Sequence, residues 1–389
     1  MNHESGALVI GGHYQGLGVV RSLARKGVRV VVIDSEPCLC RFSRYVTKCI
    51  RCPDVRNEKL FLNFLRDLAD LEGLHGWVVF PTDDETVFFL SRHRAELDKI
   101  FRVTTPEWDI VKFAYDKKQS YQLAEKIGIN IPRTFYPNHI DDLTDMDMPF
   151  PVIIKPSVMR KFFRVTGKKV FQARNRNELM KLYTKASSII DPTEILIQEE
   201  IPEVASHLYS FCPLFKEKKV LAKISAKRTR QHPMDFGHAS TFVETVDIPE
   251  LQILSTNILS EMDYYGLCEV EFIQDPRDNI FKFLEINPRV WGWHTLAIRA
   301  GVDLPYYLYL DQLDRNVQNG YFQEGVKWIR LTTDIPTAAL EIMKGRMRFS
   351  DYIQSLKGEK EFAVYSNDDI LPFFGEFFLL PHLWKKRGF

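Results

Sequence analysis

The chain has 389 residues, enough for two or three domains. Its 45% hydrophobic and 26% charged composition is that of an ordinary globular protein, and no run of about 18 apolar residues announces a membrane-spanning helix. A formal net charge of +1 supplies no long-range field to draw in nucleic acid. The opening MNHESG has no basic stretch before a long apolar run, so no secretory signal is read. Six cysteines then fit a reducing compartment, and a cytoplasmic location is expected.

Along the chain, an apolar run (Ala7 to Ile10) leads into GGHYQGLG, a helix-like stretch and a second apolar run, Val28 to Ile33, ending on Asp34. Leu60–Leu71 reads as an amphipathic helix, Trp77–Phe80 as a strand, Thr86–Asp98 as a helix and Phe101–Val103 as a short strand. This βαβ series predicts a mostly parallel sheet, with Gly11–Gly18 and Pro81–Glu85 on the rim where such sheets bind ligands. Asp116–Gly128 reads as a charged helix, Asp141–Met148 as a connector and Phe150–Pro156 as a strand. A polar, basic loop is expected over Ser157–Gly167, a strand over Lys168–Ala173, a helix over Glu178–Ser188 and a strand over Glu194–Gln198. A hairpin follows (Leu208–Phe215 with Val220–Ser225), then a helix, Glu250–Tyr264, and paired strands, Leu267–Gln274 and Ile280–Ile286.

Two features invite assignments that the residues do not favour. Cys38, Cys40, Cys49 and Cys52 cluster, but only Cys49-x-x-Cys52 has zinc spacing, and ordinary thiols are the preferred reading. A nicotinamide-dependent oxidoreductase would use the glycine turn and Asp34, yet His13 replaces the glycine that lets backbone approach a pyrophosphate.

The stronger chemistry lies downstream. Glu271 and Glu285 sit on two apolar strands joined by a turn. Strict alternation puts Glu269, Glu271 and Ile273 on one face, and Phe283, Glu285 and Asn287 on one face of the partner. Two carboxylates and an amide among Phe, Val, Leu and Ile need a partner, and hard oxygens suit a magnesium–nucleotide site. Lys155 and Lys223 are candidate phosphate contacts.

At these residues the chain resembles the ATP-grasp superfamily of carboxylate–amine ligases, to which D-alanine–D-alanine ligase, biotin carboxylase and carbamoyl-phosphate synthetase belong. The motifs are YDKKQSYQLAEKIGINIPRTF, FPVIIKPS, ILIQEEIP and EVEFIQDPRDNIFKFLEINPR, and they cover about residues 7 to 310. LEINPRVWGWHTLAIRAGVDLP looks nearest to D-aspartate ligase-like members. The resemblance implies an α/β chain, α+β in its catalytic part. A Rossmann-like domain (1–112) would precede a two-subdomain ATP-grasp domain (113–320, lid about 150–200, large subdomain about 201–320), with an extension over 321–389. It implies ATP with magnesium, manganese being an alternative. Lys117, Lys155, Gln198, Glu199, Glu200, Ile201, Glu203 and His207 would hold the nucleotide, and Glu271, Glu285 and Asn287 the metal. Arg289, Lys223 and Arg228 would neutralise the transferring phosphoryl group.

The reaction implied joins a small-molecule acid (an amino acid, sugar acid or cell-envelope precursor) to an amine through an acylphosphate, releasing ADP and phosphate. A non-catalytic ATP-binding protein is the alternative, suggested by a grasp loop with one glycine and by Glu269 where many relatives carry arginine. Trp291, Trp293 and His294 are candidate walls of the acceptor pocket. Asp83 and Asp84 would hold an ammonium group or, the favoured reading, begin a helix. No nucleic-acid partner is expected, and a homodimer is an expectation from relatives. FFGEFFLLPHLWKKRGF suits either peripheral membrane association or an aromatic helix packed on the domain surface.

Overall fold

The computed structural model describes residues 5–144, 146–202, 204–232, 234, 239–317 and 320–387, with side chains left aside at 205 and 382–387. Three sheets organise the chain. The first is five-stranded and parallel, in the order Lys48–Arg51, Val30–Asp34, Ala7–Ile10, Val78–Pro81, Arg102–Val103. Apart from Asp34 at a strand end, its central strands are apolar because helices cover both faces. Chain order 3-2-1-4-5 makes it Rossmann-like.

The second sheet is small and antiparallel: Thr134–Phe135, Ile195–Glu199, Val152–Pro156, Phe171–Ala173. The third runs Phe281–Asn287, Glu269–Gln274, Leu208–Lys216, Lys219–His232, Ala239–Thr245, Lys327–Ile329, Lys360–Phe362, with Gly266–Leu267 paired beside it. Residues beyond 320 therefore supply two strands to this sheet. They also share one apolar core with the first domain, in which Leu17 and Val20 join Cys212, Trp328 and Leu379.

Two expectations fail locally. Ser157–Gly167 is largely helix, Met159–Thr166, closed by Gly167 in the left-handed region at φ 64°. Phe162 is its buried anchor, and no glycine or proline interrupts the segment. Strict alternation also breaks between the paired strands. Glu271 pairs with Glu285 and Phe272 with Phe283, which leaves Leu284 as the extra residue of a bulge. Phe283 thus packs in the core with Phe272, while Leu284 and Glu285 both face the cleft.

The opening turn is closed from within. Asp34 accepts from the Gly12 N–H at 2.7 Å and from the Glu36 N–H at 2.8 Å, and the Cys38 sulfur fills the space a Cβ at Gly12 would need. Cys38 and Cys49 lie 3.8 Å apart as free thiols, and no group of three His, Cys, Asp or Glu side chains placed to hold a metal occurs among the described residues.

Candidate active site

A cavity of about 660 Å³ lies between the three sheets. Its inner end is apolar, where Ile201, Leu208 and Ile273 cluster with Leu284, brought in by the bulge. Lys155, on the central strand of the small sheet, is buried there. Its ammonium donates to Tyr121 Oη at 2.5 Å and to Gln198 Oε1 at 2.8 Å, and Gln198 Nε2 donates to Thr134 Oγ1 at 2.8 Å. Lys155 and Gln198 are thus fixed as neighbours on paired strands. Glu199 accepts from the Arg133 N–H (2.8 Å), Arg277 (2.6 Å) and Lys282 (3.1 Å). Burial opposes its charge, but these donors win and hold it below the usual carboxylate range. Glu200 accepts from Gln172. Glu203 lies outside the described residues, and His207 pairs with Ser206 without lining the cavity.

In the middle of the cleft, carboxylates meet cations. Lys117 pairs with Glu285, and Arg228 with Glu271. Asn287 Nδ2 donates to Glu271 Oε1 at 2.9 Å and to Glu269 Oε2 at 3.1 Å. Burial alone would raise Glu285, but Lys117 and Lys169 hold it down to about 2. Burial likewise lowers Lys117, an effect that Glu285 more than offsets. Glu269 goes the other way, pushed up to about 8 by burial and by Glu271. Ser210 donates to it at 2.9 Å. Lys169, absent from the sequence reading, lines the same space just past the lid helix, and burial lowers its ammonium. Its one signal was a lysine directly after Gly167-Lys168.

Hard-oxygen donors suit magnesium, but too few converge to hold the ion unaided, so the fit is to a metal that takes its remaining ligands from nucleotide phosphates and water. Glu271, Glu285 and Asn287 are the residues that would hold it.

At the outer end Arg289 donates to both oxygens of Asp84, at 2.7 and 3.2 Å, and Tyr14, Gln15, Gly292 and Trp293 complete the wall. Asp83 caps the helix Asp84–Arg92, accepting from the Thr86 N–H at 2.9 Å and the Thr86 hydroxyl at 3.0 Å. Arg160, from the lid helix, donates to Glu85 at 2.6 Å and stacks over Phe88.

Besides His207, three further expected contacts lie elsewhere. Lys223 is five residues from Arg228 on one strand, an odd offset that turns it to the opposite face, where it donates to Gln252 at 2.7 Å. Trp291 and His294 are core residues and do not line the cavity. His294 Nδ1 bonds the Trp291 carbonyl at 2.9 Å, and its ring lies against Gly18 of the first helix, Tyr14–Ala24. Trp293, 5.3 Å from Trp291 between ring centroids, does reach the cavity wall.

A Rossmann-like domain, a small antiparallel lid and a large, mostly antiparallel sheet around one such cleft define the ATP-grasp fold. The chain has the fold of the biotin carboxylase-type ATP-grasp structures it resembles. More particularly, residues 221–308 match the family described as carbamoyl-phosphate synthase L chain, ATP binding domain. The carbamoyl phosphate synthase large chain of Clostridium acetobutylicum is 21% identical over 302 residues, covering 74% of this chain and 27% of that protein. The chain thus spans about a quarter of the length of that curated relative. Among solved structures, the biotin carboxylase domain dimer of Hydrogenobacter thermophilus 2-oxoglutarate carboxylase, complexed with MgADP, ADP and bicarbonate, superposes with a TM-score of 0.64 at 17% identity. That match covers 82% of this chain and 73% of the other. The L-amino acid ligase of Bacillus licheniformis gives 0.61 at 13%, covering 80% and 75%.

Proposed function

We propose that the protein is an ATP-dependent carboxylate–amine ligase that forms an amide through an acylphosphate. One observation carries the reading. A single cleft lines up an apolar pocket with Lys155 and Gln198, a carboxylate–amide set (Glu271, Glu285, Asn287) and an arginine, Arg289, at the outer wall. Magnesium, held by Glu271, Glu285 and Asn287, would offset the charge on the phosphates. The chain's own work is placement. Lys155 and Lys117 hold the nucleotide phosphates, and Arg289, whose fork suits planar oxygens, faces the acylphosphate. The substrate carboxylate oxygen attacks the γ-phosphorus and ADP leaves; an amine nitrogen then attacks the acyl carbon, expelling phosphate and losing a proton. The bicarbonate bound in one structural relative and the amino acids that another ligates support a small acid and a small amine as substrates. Activity as a homodimer belongs to the same reading, supported by the dimeric relative.

The test is mass-spectrometric detection of an amide from a pool of acids and amines with magnesium–ATP, alongside ADP release. Glu285→Ala should abolish the product. Magnesium–ATP binding with no acid-dependent ADP release from the wild type would instead establish a non-catalytic nucleotide-binding protein.

A further inference from the structure

The last helix, Leu371–Arg387, has two unlike faces. Its inner face is fixed to the body of the protein. Gly375 packs against the Phe42 ring, Leu379 enters the shared core, and Glu376, buried, pairs with Arg330 at 3.3 Å and accepts from Thr332 at 3.1 Å. With the inner face pinned, Leu371, Phe374, Phe377 and Phe378 project outward at 61, 51, 50 and 79% exposure. Their spacing of three and four residues makes one continuous apolar stripe along the helix. Buried Glu376 and exposed Phe377 are adjacent, so the helix cannot roll to hide the aromatics without breaking the Arg330 pair.

A stripe of large aromatics turned to solvent marks a surface that something covers. The chain favours one occupant. From Phe377 to Arg387 there is no acidic residue, and the helix continues through Trp384 into Lys385, Lys386 and Arg387. A second copy would bring the same three cations, whereas an anionic lipid surface complements them and accepts aromatic rings at its interface. No helix among the described residues is long and apolar enough to cross a bilayer, so this one would lie in the interfacial plane. We propose that Leu371–Arg387 docks the protein on an anionic bilayer, with Phe374, Phe377 and Phe378 entering the interface and Lys385 to Arg387 meeting headgroup phosphates.

The experiment is co-sedimentation of the full chain with phosphatidylcholine vesicles with and without phosphatidylglycerol, at low and high salt. The wild type should pellet with the anionic vesicles, less so at high salt. The triple variant Phe374→Ser, Phe377→Ser, Phe378→Ser should stay in the supernatant. So should the double variant Lys385→Glu, Lys386→Glu. Wild-type protein that ignores anionic vesicles, or variants that pellet as well as wild type, would overturn the proposal. Light scattering completes the test: a wild-type dimer that the triple variant turns into a monomer, without vesicle binding, assigns the stripe to a second copy instead.

Discussion

Arg289 and Asp84, 205 residues apart, form a two-pronged ion pair that joins the strand end carrying Asn287 to the first helix turn after Pro81. Its consequence is that the arginine proposed to meet the acylphosphate is held in position, and partly neutralised, before any substrate arrives. Burial would depress Arg289, yet Asp84 raises it, so it stays charged throughout the working pH range.

Replacing Arg289 with alanine should lower acid-dependent ADP release by about a hundredfold while leaving nucleotide affinity nearly unchanged. Arg289→Lys should not restore the rate, because an ammonium lacks the planar fork. Steady-state kinetics beside calorimetric titration with ADP separates the two effects; a loss of nucleotide affinity equal to the loss of rate would contradict this placement.

Lys117 and Arg228 are each occupied by a carboxylate, Glu285 and Glu271. Freeing these cations for phosphate requires another positive charge on the carboxylates, so magnesium and nucleotide should each tighten binding of the other, by about tenfold or more. Glu285→Gln should remove that coupling. It should also leave metal-free ADP binding equal to or tighter than wild type, since Lys117 is released. Paired titrations of ADP with magnesium and with chelator read both outcomes, and weaker metal-free binding would refute the argument.

Gly18 faces the turn after Trp293 so closely that a Cβ there would lie 2.5 Å from Thr295 Cγ2 and 2.6 Å from His294 Nε2. Both neighbours are buried and cannot swing away. Gly18→Ala should therefore cost about 1–3 kcal/mol by overpacking, despite alanine's better helix propensity. Thermal melting would show it, and an unchanged or higher midpoint would mean that the first domain shifts freely on the large sheet.

His294 is buried, and burial pushes its imidazole down to about 4 from the ordinary 6.5. Below pH 6.5 the unfolded chain takes a proton that the folded chain refuses until about pH 4, so stability falls as pH drops through that window and is retained above it. The loss is on the order of 3 kcal/mol across the window. His294→Leu should flatten this part of the stability profile, and a variant with the wild-type slope would assign the dependence to other groups.

The parts of the cleft that the chain spells out locally are those where residue type and short spacing coincide. Glu271, Glu285 and Asn287 stand on apolar strands that would not otherwise tolerate them, and all three line the cavity. Strand parity alone separates Lys223 from Arg228, a signal present in the sequence but left unused. Leu284 was not legible, because a bulge is a property of two strands together and neither sequence states where the extra residue sits. Nor were Lys169, the turning inward of His294, or Arg289 with Asp84, since each depends on segments meeting that are far apart in the chain. The lid helix is an intermediate case: an expected loop of polar residues proved helical because Phe162 could be buried on one side of it.

The contact between Arg160 and Glu85 bears on how the cleft is entered. It straps the lid helix to the first domain across the space a nucleotide must reach. A cationic cleft ordinarily captures an anionic ligand more slowly as salt is added. Opening this ion pair, which salt weakens, should therefore make the association rate constant rise with ionic strength over the range where release of the strap limits entry, and stopped-flow binding of ADP across a salt series reads it. The same bridge, re-formed behind the ligand, should slow departure and lengthen its residence without adding a contact to it.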